Sequence, residues 1–232
     1  MLGSACWALL AAALLSGCAE TGHPSPPVEA GVPANGSFRF LADHDGRPLA
    51  WSRCRPITWK LNAGGVDGAV VEVVRDAVDR MAASSGFSFA ERGVTDAVEG
   101  SSTDVPETLG VDLLVEIVPD DATDLLSGSE WARTDVRPVN GRIGQAIVAI
   151  SVTADGRLAV GYGPLSWGAL VMHEIGHVLG LAESDDPDDL MYPVLGEGSG
   201  RISPDDRAGL KALADAGGCR RSRLAAQPGR HP

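Results

Sequence analysis

The chain has 232 residues, and 19 Lys plus Arg against 31 Asp plus Glu leave a formal charge of −12 at pH 7. Such a balance disfavours nucleic acid and anionic surfaces as partners. There is no internal repeat, no phosphate-cradling glycine loop and no GxSxG elbow, so a serine hydrolase has no support.

The first segment reads as a targeting signal. Trp7 to Leu15 is apolar but too short to span a bilayer as a mature helix, and Leu15-Ser16-Gly17-Cys18 follows it. These four residues resemble a bacterial lipobox, although the usual Lys or Arg before the apolar run is missing. Residues 1–17 are expected to be removed as a lipoprotein-type signal peptide. Cys18 then takes the lipid and holds an exported protein on the outer face of the cell membrane. An ordinary secretory signal, which would release the protein, is the alternative. Residues 18–37, with Pro24, Pro26, Pro27 and Pro33, read as a flexible tether. One folded domain is expected over 38–219, followed by a disordered basic tail over 220–232.

Within the domain, Ile57-Thr58-Trp59-Lys60-Leu61 alternates apolar and polar residues as a strand does. From Asp67 to Ser84, Val70, Val71, Val74, Ala77, Val78 and Met81 recur at helical spacing, and Gly86 closes the run. Phe87-Ser88-Phe89 is expected to be a short second strand. Val111 to Val118, apolar and rich in β-branched residues, suits a central strand, and Gly144 to Val152 suits another. Leu125 to Arg142, with Trp131 and Asn140-Gly141, is expected to contain a loop and the edge strand bordering a cleft. Ser203-Pro204-Asp205-Asp206 starts a last helix, with Ser as cap, Pro in the first turn and acids at the positive end of the dipole. Leu210, Leu213 and Ala214 face inward, and Gly217-Gly218 ends it. Strand, helix, strands and two helices imply an α/β domain with a mixed sheet.

The chemistry is concentrated in His173-Glu174-Ile175-Gly176-His177-Val178-Leu179-Gly180-Leu181-Ala182-Glu183-Ser184. Helical residues four apart share a face, so His173 and His177 point two imidazoles at one ion, with Glu174 beside them as general base. Leu170, Val171, Ile175, Val178 and Leu179 supply the apolar surface that buries this helix. Gly180 can take the left-handed conformation that ends it, and the extended pattern HExxHxxGxxH uses that turn to deliver a third ligand. Here the third position holds Glu183.

Downstream, Asp189-Leu190-Met191-Tyr192-Pro193 reads like a Met-turn. From His173 to Pro193 the chain therefore resembles the metzincin zinc endopeptidases, and Ser184 makes it most similar to the matrixin branch. The resemblance implies a zincin-type fold with a mixed twisted sheet, an active-site helix, a Met-turn and a C-terminal helix. It assigns His173, His177 and Glu183 to Zn2+, Glu174 to proton transfer, and Met191 to the turn beneath the metal. Tyr192 is a possible substrate-side hydrogen-bond donor. The family usually has histidine where Glu183 stands, with aspartate in some bacterial members. A carboxylate is a legitimate zinc ligand, and His23, His44 and His231 lie in unsuitable places. The edge strand is expected to grip an extended peptide by strand addition, and Gly-rich Pro193 to Ile202 to wall a side-chain pocket.

Of four cysteines, Cys6 leaves with the signal and Cys18 goes to lipid. Cys54 and Cys219 remain as an even pair for an exported disulfide. The competing reading likens Arg53-Cys54-Arg55-Pro56 to the cysteine switch of latent matrixins. Asp185, Asp186, Asp188 and Asp189 form an acidic loop that could take Ca2+, but no EF-hand pattern is present and a solvated turn is expected. The expected function is a monomeric zinc metalloendopeptidase acting on peptide or protein substrates. A non-cleaving cell-surface binding module of the same fold is the alternative, and an amidase on cell-wall bonds a third.

Overall fold

The structure, a computed structural model, describes residues 38–99 and 105–218. The segments expected to be a signal, a tether and a basic tail, with Cys18 and Cys219, lie outside them. In chain order the elements are β1 (Asp43–His44), β2 (Arg47–Pro48), β3 (Ile57–Asn62), α1 (Gly68–Ser85), β4 (Phe89–Val94), α2 (Val105–Thr108), β5 (Leu113–Val118), β6 (Ala132–Val139), β7 (Arg142–Ser151), α3 (Trp167–Leu179) and α4 (Pro204–Ala216).

The domain is α/β, built on one mixed sheet in the order β4-β3-β5-β7-β6. The first four of these strands run parallel to one another, and only β6 is antiparallel, at the rim. The cause of that reversal is local. Asn140 and Gly141 have φ of 52° and 73°, the left-handed pair that a two-residue hairpin turn requires. They fold β6 back on β7 and so place it last in the sheet.

β5 shows why the middle of the sheet reads as a continuous apolar run. All six of its residues are buried, as expected for a parallel strand covered on both faces. Leu113, Val115 and Ile117 join the main core with α1 and α3. Val118 lies on the opposite face with Ala149 and Leu126, under the segment that follows β5.

α1 is the crossover from β3 to parallel β4. Asp67 caps it by accepting from the Ala69 amide at 2.7 Å, and Gly86, at φ 75°, ends it. Val70, Val74, Ala77, Val78 and Met81 form its buried stripe, each stabilising by about 1.5–3 kcal/mol if it is as large as Val or Met.

The second strand is not where the aromatic alternation placed it. Phe87 is buried in the connection after α1, and the strand runs over Phe89–Val94 instead. It is an edge strand with one partner, and its last four residues are exposed. Pairing to β3 rather than apolar patterning defines it, so its sequence carries little signal. Gly93, at φ 88°, sits where the register with β3 slips by one residue.

The Arg53 amide donates to the Gly217 carbonyl at 3.0 Å, which brings Cys54 beside the end of α4. Cys54 is not a free side chain. Its expected partner, Cys219, lies outside the described residues. No helix among the described residues is long and apolar enough to cross a membrane.

Candidate active site

α3 begins at Ser166, whose hydroxyl accepts from the Ala169 amide at 3.2 Å. All thirteen of its residues are buried, so two histidines and a glutamate stand in the core of the domain. Gly180 stops the helix at φ 115° while its amide bonds back to the Gly176 and His177 carbonyls. A side chain there would also meet the Leu49 carbonyl oxygen at 2.9 Å, so both conformation and space require glycine. The N-terminal segment then straps the turn. The Leu41 amide donates to the Gly180 carbonyl and the Ala182 amide to that of Arg39, each at 2.9 Å. Residue 183 is thereby aimed back at the helix.

The Glu183 carboxylate lies 3.5 Å from His173 Nε2 and 3.4 Å from His177 Nε2. One ligand atom from each of the three residues falls within 4.8 Å of the other two. Two atoms each 2.0–2.1 Å from a tetrahedral zinc lie about 3.3–3.4 Å apart, so these separations fit such an ion. The tautomers fit as well. His173 Nδ1 faces the Leu190 carbonyl at 2.9 Å and His177 Nδ1 that of Leu181 at 2.8 Å. A carbonyl only accepts, so each Nδ1 carries the hydrogen and, in the neutral ring, each Nε2 presents its lone pair to the common point. His177 Nε2 is buried without a hydrogen-bond partner, an arrangement that is costly unless something coordinates it. The rings sit edge to face, with centroids 4.7 Å apart.

The electrostatics favour positive charge at that point. Burial alone would lower the His173 pKa, but the Glu183 carboxylate, aided by the Glu174 charge, outweighs it and lifts the value to about 9. Burial works in the opposite sense on Glu183, and contact with both imidazoles overcomes it, holding the carboxyl far below its usual range. Two imidazoles and a carboxylate with this preference form a donor set suited to zinc.

Residues 160–214 match the matrixin family model, a family of peptidases.

The matched span takes in α3, the glycine turn, the Met191 turn and nearly all of α4. A solved structure, metalloproteinase-II from Bacteroides fragilis, is 18% identical, with a TM-score of 0.45, over 78% of this chain and 59% of that one. The chain thus spans about three-fifths of that protein's length. No curated protein matches.

In the rest of this matrixin-like segment, Met191 lies directly beneath α3. A methyl group on Gly176 would fall 2.3 Å from its sulfur, so the helix residue between the two histidines must be small for the turn to pack. The turn is held from below by Asp206. That carboxylate accepts from the Leu190 amide at 2.7 Å, the Met191 amide at 3.4 Å and the Ser203 amide at 2.7 Å. It closes the capping box of α4 in the same act, so α4 and the Met191 turn share one buried anchor. The Ser184 hydroxyl donates to Asp189 at 2.5 Å.

Asp189 therefore departs from the expected solvated turn. It is 4% exposed and structural, whereas Asp185 is exposed and paired with Arg39. The single group of three or more metal-capable side chains among the described residues is His173, His177 and Glu183.

Glu174 is 1% exposed and accepts from the Thr134 hydroxyl at 2.7 Å. Sequence reading missed Thr134, because nothing in the primary pattern links β6 to α3. Tyr192, half-buried, lines a narrow cleft with His173, Leu170, Val194 and Leu195. On the other side an apolar cavity of about 200 Å³ opens between β6 and the N-terminal segment, touching His177, Leu41, Leu49, Val136 and Ile143. His44 lies apart, against Gly141 in the β6–β7 turn.

Proposed function

We propose that this domain is a zinc-dependent endopeptidase that cleaves peptide bonds in extended substrates. The observation that carries the reading is the meeting of His173 Nε2, His177 Nε2 and the Glu183 carboxylate at zinc-like separations, with buried Glu174 next to them. His173, His177 and Glu183 would hold the metal. Zinc bound in such a site acidifies a water and polarises a carbonyl.

The remaining work belongs to the chain. Glu174, as general base, takes the proton of the attacking water and returns it to the leaving amine. The outer edge of β6 pairs with the substrate main chain in the manner of an added strand. The cleft at His173 and the cavity at His177 receive side chains on either side of the scissile bond. Met191 and Gly176 keep the floor of the site packed. Tyr192 stands near enough to the cleft to offer a hydrogen bond to substrate.

The reading extends beyond the described residues. Cys18 carries the lipid that anchors the exported protein at the membrane surface, and Cys54 pairs with Cys219, a bridge supported by the proximity of Cys54 to Gly217. In the chain-entropy model a loop of that length stabilises by about 4–5 kcal/mol.

Zinc content and cleavage of a peptide library test the function. Wild type is expected to bind one zinc and cleave. Glu174→Gln is expected to keep the zinc and lose at least about 10³-fold in kcat/KM, within the range of general-base losses and their coupling to the metal. Zinc binding with equal inertness of wild type and variant would favour a binding module. Activity on cell-wall fragments alone would favour an amidase.

A further inference from the structure

Glu174 lies on a buried helix and its carboxylate must be held at one orientation for proton transfer to an adjacent water. A glutamate side chain has three rotatable bonds, and a misplacement of about 1 Å at a reacting group can cost on the order of 100-fold. The fold supplies a constraint from outside the helix. Thr134, on β6 opposite Val148 of β7, directs its side chain towards α3, as does Val136 two residues on. The hydroxyl lies 2.7 Å from Glu174 Oε2 and 3.3 Å from the main-chain carbonyl oxygen of the same residue. A hydroxyl has one hydrogen, so the shorter contact takes it, and the carboxylate, which only accepts, receives it.

Three features suit this pair to positioning rather than to general stability. The acceptor is a carboxylate in a buried place, where a directed donor acts more strongly than in water. Threonine is stiff about its first torsion, so the hydroxyl is set before the contact forms. The donor also belongs to the edge strand, the element proposed to pair with substrate.

We propose that Thr134 is a positioning residue that fixes the carboxylate of Glu174, so that the strand receiving the peptide also aligns the base. The proposal rests on the peptidase reading for its catalytic consequence and on the hydrogen bond alone for its structural one.

The test uses the full chain with Thr134→Val, which keeps the shape without the donor, and Thr134→Ser, which keeps the donor. The expected result is a fall in kcat of about tenfold for Thr134→Val, as for other supporting groups around such sites, with KM within about twofold. Thr134→Ser is expected to recover kcat to within about threefold of wild type. In metal-free protein, the melting shifts of Thr134→Val and Glu174→Ala are expected to be non-additive in the double variant. Wild-type turnover by Thr134→Val, or no recovery with serine, overturns the catalytic role while leaving the peptidase reading intact. Additive melting shifts overturn the contact itself. If wild type cleaves nothing, the peptidase reading fails, and the melting cycle still decides whether Thr134 holds Glu174.

Discussion

The two faces of the sheet both bury carboxylates and provide for them differently. On the α3 face Glu174 has the Thr134 hydroxyl, and Asp206 has three backbone amides. On the opposite face Glu116, 0% exposed on the central strand, accepts from the Glu99 amide at 2.7 Å through one oxygen, while its other oxygen has no hydrogen-bond partner. Burial lifts the Glu116 pKa to about 7, against the Glu99 amide, which pulls it down, and with the Glu99 charge, which pushes it up. Burial also raises Glu99 itself. Burial raises the Asp206 pKa as well, with the Ser203 and Leu190 amides pulling it down, so the two faces differ in how many donors are set against the same burial.

The sharpest way to break this contrast is Asp206→Ala. It strands amides of Leu190, Met191 and Ser203 and removes the α4 capping box, and should cost about 3–4 kcal/mol in urea unfolding. A loss below about 1 kcal/mol would show that the amides find other acceptors.

Glu116→Gln is expected to act in the opposite direction. The folded-state pKa is raised, so between about pH 4.5 and 7 the folded chain keeps a proton that the unfolded chain has released. Stability therefore falls as pH rises through that window and levels off above it. The glutamine variant should be more stable than wild type by about 2–3 kcal/mol at pH 8 and equal to it near pH 4. Parallel pH profiles for the two proteins would sink the assignment.

Gly180→Ala probes how the group of His173, His177 and Glu183 depends on its turn. With φ at 115° and the Leu49 carbonyl in the way, it should cost about 2 kcal/mol and weaken zinc uptake by displacing Glu183. Unchanged zinc affinity by competition with a chelator would separate the turn from the ligand. The smallest effect is expected for Arg39→Ala. Its exposed pair with Asp185 is worth at most about 0.5 kcal/mol, because the backbone bonds of the same strap remain.

The helix α3 was legible because its information is local. His173 and His177 four apart, Gly180 after them, and Ser203 three before Asp206 are short-range patterns that helix geometry converts directly into positions. β3, α1, β5 and β7 showed themselves through apolar periodicity. β4 did not, because an exposed edge strand is defined by its partner. Asp189 read as solvated for a related reason, since the burial of an acid depends on what packs over it.

By itself the sequence determined the helical pair of imidazoles with its adjacent acid, the stop at Gly180 and the mixed α/β class. Only the tertiary structure decided that Glu183 returns to both imidazoles, that Thr134 reaches Glu174 across 40 residues, and that Asp206 ties α4 to the Met191 turn. Backbone periodicity is written in neighbouring residues, whereas these contacts depend on strand order and on the angle at which a turn re-enters the core. Those are set by the packing of the whole chain.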